Sequence, residues 1–194
     1  MLLINSKGEN FMSCDLTCTN SLIDISGLCD IGDVADVISQ NPYWIQMNVP
    51  EHLSIPEQKP DMEEINSITV SVDIFRKEVI VVPDSISSNL EGKYTTGRKL
   101  IIEGQLCQKV MYTAEEDVQS VHGAEFYVPF SAYIVLPALM YNPTTKKFDI
   151  DPLDVEFQVN ACIEDVVVKM MNEREILKQV TMLLYAVPNL SAQI

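Results

Sequence analysis

Apolar and polar residues alternate along most of the chain from Pro42 onward, which is the pattern of half-buried β-strands. The clearest run covers residues 68–74, where Ile and Val alternate with Thr, Ser and Asp. Other runs cover residues 43–49, 78–82, 100–112, 126–136 and 155–163. A stretch of ambiguous period, residues 164–187, is divided into two strands that meet near Asn172. Strands with one polar face each predict a mainly β fold, a jelly-roll-like antiparallel β-sandwich with at most short helices.

Proline and glycine positions add detail to the predicted sandwich. Pro129 lies on the polar side of its run, which predicts an edge strand or a bulge, and Gly104 also indicates a bulge. Pro60 and the acidic residues after it predict one helical turn over residues 61–65. Residues 84–97 contain Ser, Asn and Gly and predict a surface loop. The predicted core is formed by Ile68, Val70, Val72, Leu100, Ile102, Phe126, Phe130, Ile134, Phe157 and Val159.

The first forty residues follow a different pattern. Apolar residues recur every three or four positions from Leu22 to Ile38, which is helical spacing. Gly27 and Gly32 interrupt this stretch, and each glycine costs a helix about 1 kcal/mol. The chain is therefore divided into an N-terminal arm over residues 1–41, with one short helix, and a β-sandwich domain over residues 42–194.

Composition and charge exclude several classes of function. Asp and Glu number 28 against 13 Lys and Arg, so the formal net charge is −15. Such a surface repels phosphate backbones and anionic lipids, so neither nucleic acid nor a membrane is an expected partner. No apolar run approaches the ~20 residues of a membrane span. The first ten residues lack the features of a signal peptide, which predicts a protein made in the cytoplasm.

The sequence offers little catalytic chemistry, and we expect neither an enzyme nor a cofactor. There are only two histidines, and histidine is the commonest general base. His122 pairs with Ser120 or a cysteine in a catalytic interpretation, but a histidine that holds a turn by hydrogen bonds is favoured. His52 is interpreted as an exposed loop residue. No Gly-rich phosphate loop, nucleophile elbow or zinc-protease motif occurs.

Two groups of residues are candidate metal ligands. Cys14, Cys18 and Cys29 supply three thiols, whereas a structural zinc ion takes four ligands. Asp30, Asp33 and Asp36 recur every third residue, but they lack the loop spacing and terminal Glu of an EF-hand. A solvated acidic face is the favoured interpretation of the aspartates, and no metal is predicted.

The five cysteines are the candidate cross-linking residues: Cys14, Cys18, Cys29, Cys107 and Cys162. The number is odd, so at least one thiol stays free or pairs with another chain. Cys107 and Cys162 fall on the polar side of their strands. Either they face outward and join subunits after assembly, or they are buried in a second layer or adjacent across strands. The sequence leaves both alternatives open.

Three stretches resemble the SPOCS domain of spore-forming Firmicutes. They are IPEQKPDMEEI (residues 55–65), TGRKLIIEGQLCQKVMY (residues 96–112) and SVHGAEFYVPFSAYIVLP (residues 120–137). The resemblance runs from about Trp44 to the C-terminus and leaves the first forty residues unexplained. Cys107 stands where the family pattern has a plain polar residue. The resemblance implies no catalytic residues, because the shared positions are those of strands and turns.

The resemblance implies a protein of the spore surface (coat, exosporium or appendage) that is made in the mother-cell cytoplasm. We expect a structural protein that self-assembles into a layer or filament as a homo-oligomer or polymer. The arm would contact a neighbouring subunit through apolar residues such as Leu2 and Ile4. The alternative is a binding module that recruits another coat protein or a glycan, for which Trp44 on the polar side of its strand would serve as a contact.

Overall fold

The structure, a computed structural model, describes residues 23–190. Strands dominate this range and only one α-helix occurs in it, which confirms the predicted mainly β fold. The elements are β1 (Asp24–Ser26), α1 (Ile31–Gln40), β2 (Trp44–Ser54), β3 (Met62–Asp84), β4 (Thr96–Ala114), β5 (Val121–Leu136), β6 (Met140–Asn142), β7 (Lys147–Ile150), β8 (Glu156–Met170) and β9 (Glu175–Asn189). A 3-10 turn over Pro152–Asp154 precedes β8.

Two sheets pack against each other. The first has the strand order β1-β3-β4-β5 and the second has the order β2-β9-β8, while β6 and β7 form a separate hairpin. All pairings are antiparallel except that of β1 with β3. Inward side chains of both sheets form one hydrophobic core. The two sheets therefore make a sandwich, as the alternation predicts.

The predicted core residues all lie in this cluster. Seven of the ten are buried, and Val72, Phe126 and Val159 are partly buried. Of the two alternatives predicted from Pro129, an edge strand or a bulge, the edge strand is found, because β5 is the last strand of its sheet and pairs with β4 without a register shift. Pro50 lies within β2, another outer strand, where a missing N–H breaks no ladder.

Two local predictions between residues 61 and 104 are corrected by the structure. Residues 61–65 do not form a helical turn, because β3 already begins at Met62. Residues 68–74 and 78–82 belong to this same strand, which stays paired with β4 through a bulge at Phe75. The bulge is therefore in β3, whereas Gly104 lies opposite it in an uninterrupted β4.

Gly104 makes room for an aromatic ring of the core. It pairs with Phe130 of β5, and a Cβ atom on Gly104 would lie 2.6 Å from the Phe130 ring and 2.6 Å from the Asp73 carbonyl oxygen. No side chain fits in this space. A glycine at this register position therefore lets the ring of Phe130 lie directly over β4.

The described part of the arm folds onto its own domain. β1 pairs with β3, and Gly27 then passes so close to Val70 that a Cβ would overlap its carbonyl oxygen. The one predicted helix is confirmed as α1, although residues 24–26 of the helically spaced stretch form β1 instead. The helix begins after the N-cap Asp30, whose carboxylate accepts the Gly32 N–H at 2.8 Å. Val34 of α1 packs over the outer face of β8 and β9. Residues before 23 lie outside the described range.

Candidate functional site

Two of the candidate cross-linking cysteines are joined to each other. Cys29 and Cys162 form a disulfide within the chain, with Cα atoms 5.4 Å apart, and the Cys29 N–H donates to the Ile163 carbonyl at 3.0 Å. Cys162 does point away from the main core, as its strand phase predicts, but α1 covers it and it is buried. The bond ties the end of the arm to β8.

The other three cysteines differ in their position. Cys107 is a free, half-buried thiol on the outer side of β4, opposite Tyr127 of β5. Cys14 and Cys18 lie outside the described residues, as do the predicted contact residues Leu2 and Ile4. Cross-linking between subunits thus stays a prediction for these cysteines. Trp44 opens the outer strand β2 with its side chain exposed, as predicted.

The histidines have structural partners. The Ser120 hydroxyl and Nε2 of His122 are 2.9 Å apart, and the His122 ring stacks on Tyr112 with a centroid distance of 5.9 Å. This arrangement fits the favoured interpretation of a histidine that fixes a turn. His52 lies in β2 and not in a loop, and its Nε2 is 3.7 Å from a Glu175 oxygen at the surface. Within residues 23–190, no three His, Cys, Asp or Glu side chains are grouped closely enough to hold a metal ion.

A buried polar cluster in the sandwich is the feature that the sequence analysis missed. We call Glu51, Gln108 and Lys178 the core triad. Nζ of Lys178 lies 3.0 Å from Oε2 of Glu51, and Nε2 of Gln108 donates to the same Oε2 at 2.8 Å. The Glu51 and Lys178 side chains are fully buried. Glu51 and Lys178 face each other across β2 and β9, whereas Gln108 reaches in from β4 of the opposite sheet.

The triad is incompletely satisfied. Oε1 of Glu51 and Oε1 of Gln108 have no hydrogen-bond partner among the described residues, and Nζ of Lys178 has only its ion-pair contact with Glu51, which lacks hydrogen-bond geometry. Burial lowers the pKa of Lys178, and the neighbouring Glu51 carboxylate opposes this shift. A buried donor or acceptor without a partner typically costs about 1–3 kcal/mol. Such a cluster in a core that is otherwise apolar needs a chemical or structural reason.

A sequence signal for the triad does exist. Each of the three polar residues occupies the inward phase of its strand, between two buried apolar residues. The flanking pairs are Val49 and Leu53, Leu106 and Val110, and Ile176 and Val180. Three polar side chains in the apolar phase of three strands indicate a shared buried site, but only the sheet packing brings them together.

An ion pair fixes the segment that leads into β8. Nε and Nη2 of Arg98 donate to the two carboxylate oxygens of Asp151 at 2.8 and 2.6 Å. The Arg98 guanidinium and the Leu153 backbone N–H hold the pKa of Asp151 at about 2, below its ordinary 3.8. This bidentate contact joins β4 to the turn before β8.

We expect the Asp151 carboxylate to make the stability of the fold depend on pH below about 4. The pKa of Asp151 is lower in the folded chain (about 2) than its ordinary 3.8, so its contribution is complete above 3.8 and is lost as the pH falls through 2. Asp151→Asn should lower stability at neutral pH by about 1 kcal/mol or less. It should also flatten the decrease between about pH 4 and pH 2. Urea titrations at several pH values measure this.

The matched control for this prediction is Asp149→Asn. Asp149 accepts a hydrogen bond from the Thr145 hydroxyl on the nearby exposed β6–β7 hairpin. The Asp149→Asn variant should show nearly the same pH dependence of unfolding as the wild type. A wild-type-like pH slope in Asp151→Asn would contradict the assignment.

The fold and the site together define a class of protein: a two-sheet β domain with a polar triad between the sheets and an N-terminal arm held by a disulfide. The profile of the family described as SipL, SPOCS domain, matches residues 61–171, more than half of the chain. The chain therefore belongs to the SPOCS-domain family, whose members are associated with spores. Searches of curated proteins and of solved structures gave no match. In residues 23–190, no helix has the length and apolar character needed to cross a membrane.

Proposed function

We propose that the chain is a non-enzymatic structural protein of the spore surface that self-assembles into a layer or filament. Its place would be the coat, the exosporium or an appendage, after synthesis in the mother-cell cytoplasm. Family membership supports the association with spores. The assembly itself is supported by one feature of the structure, the outer side of β5.

The exposed apolar side chains of β5 form what we call the β5 face: Val121, Tyr127, Tyr133 and Val135. Among the described strands, β5 pairs only with β4, so its other edge presents backbone N–H and C=O groups. Such an edge accepts a strand from another chain, and tyrosines are enriched where chains meet. Cys107 points to this same side, opposite Tyr127. Because Cys107 lies on β4, a strand added at the free edge of β5 would be about 10 Å from it, beyond the roughly 7 Å between Cα atoms that a disulfide allows. Only a segment that crosses the outer side of β5 would reach this thiol.

The arm provides the second chain in this proposal. Residues 23–41 are occupied with their own domain, so the connector would be the segment before them. An extended segment that adds to an open edge gains backbone hydrogen bonds, and Leu2 and Ile4 would supply apolar contacts. This contact joins different surfaces of two subunits, so it closes into a ring or continues as a filament. Disulfides of Cys14 or Cys18 would then make the assembly covalent, with Cys107 as a partner only for a part of the arm that crosses the outer side of β5.

Assembly of the purified chain tests the proposal. We expect sedimentation velocity and electron microscopy to show ordered polymers as the concentration rises. Tyr127→Lys places a charge on the β5 face and should raise the concentration needed for assembly roughly tenfold, which is the effect of about 1.4 kcal/mol. Deletion of residues 1–20 should leave a folded monomer.

The matched control is Leu177→Lys, which adds the same charge to another exposed apolar site, on β9 of the other sheet. It should assemble as the wild type does. A wild-type chain that stays a monomer at every concentration would refute self-assembly, and a deletion variant that still polymerises would refute the arm as connector.

A binding or adaptor module is the second candidate, and the exposed Trp44 at the start of β2 favours it. An indole that projects from an outer strand can stack on a sugar ring or anchor a partner protein. In this case the chain would stay a monomer and retain a coat protein or glycan from spore extracts. Trp44→Ala would then abolish retention without changing the oligomeric state.

A further inference from the structure

We propose that Lys178 and Gln108 of the core triad react with each other to form an amide bond between their side chains, with Glu51 transferring the protons. This bond would join β9 to β4 and so link the two sheets of the sandwich covalently. It would form once in each molecule, so it does not make the chain an enzyme. The inference does not depend on whether the protein forms a polymer.

The positions of the three side chains bring the reacting groups together. The Lys178 amine and the Gln108 amide both contact Oε2 of Glu51, at 3.0 and 2.8 Å. The amine and the amide nitrogen are thus separated by no more than two hydrogen-bond lengths. All three residues are at most 5% exposed. Reactants held this closely in a closed site react far faster than the same groups in solution.

Burial also prepares each group chemically. Desolvation lowers the pKa of Lys178, so the neutral amine, which is the nucleophilic form, costs less to form here than it does in water. Glu51 is positioned as the base that takes the ammonium proton. The core excludes bulk water, so hydrolysis of the Gln108 amide does not compete. The unpartnered Oε1 atoms of Glu51 and Gln108 show that the unreacted cluster is poorly satisfied.

The reaction balances without any cofactor. Lys178 gives one proton to Glu51, and its free electron pair attacks the side-chain carbonyl carbon of Gln108. A C–N bond forms and the carbonyl oxygen gains negative charge. Glu51 protonates the original amide nitrogen of Gln108, whose bond to carbon breaks, and ammonia leaves. The carbonyl double bond re-forms as ammonia leaves, one of the two protons on the Lys178 nitrogen passes to Glu51, and the other stays in the new amide.

Formation of the amide removes the buried charges of Lys178 and Glu51. Lys178 and Gln108 become a neutral secondary amide, and Glu51 ends as a protonated carboxyl group that can donate to the new carbonyl oxygen. No buried charge remains, whereas an ion pair in the core typically loses more in desolvation than it gains. Unlike the disulfide of Cys29 and Cys162, the amide is also insensitive to reductants.

Mass spectrometry of the folded, full-length chain tests the inference. After reduction of the disulfide, we expect the intact mass to fall below the sequence mass by one ammonia, and tandem spectra after digestion to contain a peptide pair linked through Lys178 and Gln108. Lys178→Met removes the amine but keeps a long unbranched side chain, and its mass should equal that of its own sequence. Glu51→Gln retains the shape of the site and should slow the reaction by roughly 100-fold or more, the usual effect of losing a general base.

Each other outcome refutes the proposal. A folded wild-type chain that keeps its full mass after prolonged incubation lacks the bond. Loss of one water instead would mean that Lys178 had condensed with Glu51. Loss of ammonia that persists in Lys178→Met would come from another residue. Peptide mapping of the wild type decides the question even if a variant fails to fold.

Discussion

Replacing both Cys29 and Cys162 with alanine should lower the free energy of unfolding of the oxidised chain by about 3 to 5 kcal/mol. The disulfide joins residues 133 positions apart, and closing so long a loop removes much conformational freedom from the unfolded chain. It also fastens α1, whose Val34 makes a small cluster with Cys162 and Leu183 away from the main core. Urea titrations of wild type and double variant measure the difference.

The same titrations with and without a reductant give an internal check. Reduction should destabilise the wild type but leave the double alanine variant unchanged. Cys107→Ser is the matched control, because this thiol is free and half-buried, and it should change stability by less than about 0.5 kcal/mol. Equal stability of the oxidised wild type and the double variant would mean that the bond does not constrain the chain.

Truncating Phe130 to alanine should cost about 3–5 kcal/mol. Its ring is buried in the main core and lies over Gly104, where the neighbouring strand has no side chain to fill the cavity. Backbone pairing of β4 and β5 on both sides hinders collapse around the cavity. Thermal or urea unfolding measures the loss. A cost below about 1 kcal/mol would mean that the ring does not fill this space.

Gly104→Ala tests the same contact from the opposite side. The added Cβ would overlap the Phe130 ring and the Asp73 carbonyl, and we expect a cost of about 1–3 kcal/mol. In the Phe130→Ala background only the carbonyl contact remains, so the same change should cost less. Additive effects of the two substitutions would contradict direct contact between ring and glycine.

The sandwich was predictable because its signal is local. A strand with one buried face must place apolar residues at every second position, and this rule located the strands and the core directly. The rule gave wrong predictions where the structure depends on contacts between residues that are far apart in the sequence. The helical turn at residues 61–65 was wrong because pairing with β4 extends β3 to Met62, and cross-strand hydrogen bonds override a proline-based start signal.

The sequence by itself determined the class of fold, the short helix of the arm and the outward placement of Trp44, and it limited Pro129 to an edge strand or a bulge. All of these depend on neighbours within a few residues. Only the tertiary structure decided that Cys29 meets Cys162 beneath α1 and that Glu51, Gln108 and Lys178 meet between the sheets. These contacts depend on which strands pair and in what register. Pairing and register are set by interactions between segments that are distant in the chain, and the local alternation of apolar and polar residues does not specify them.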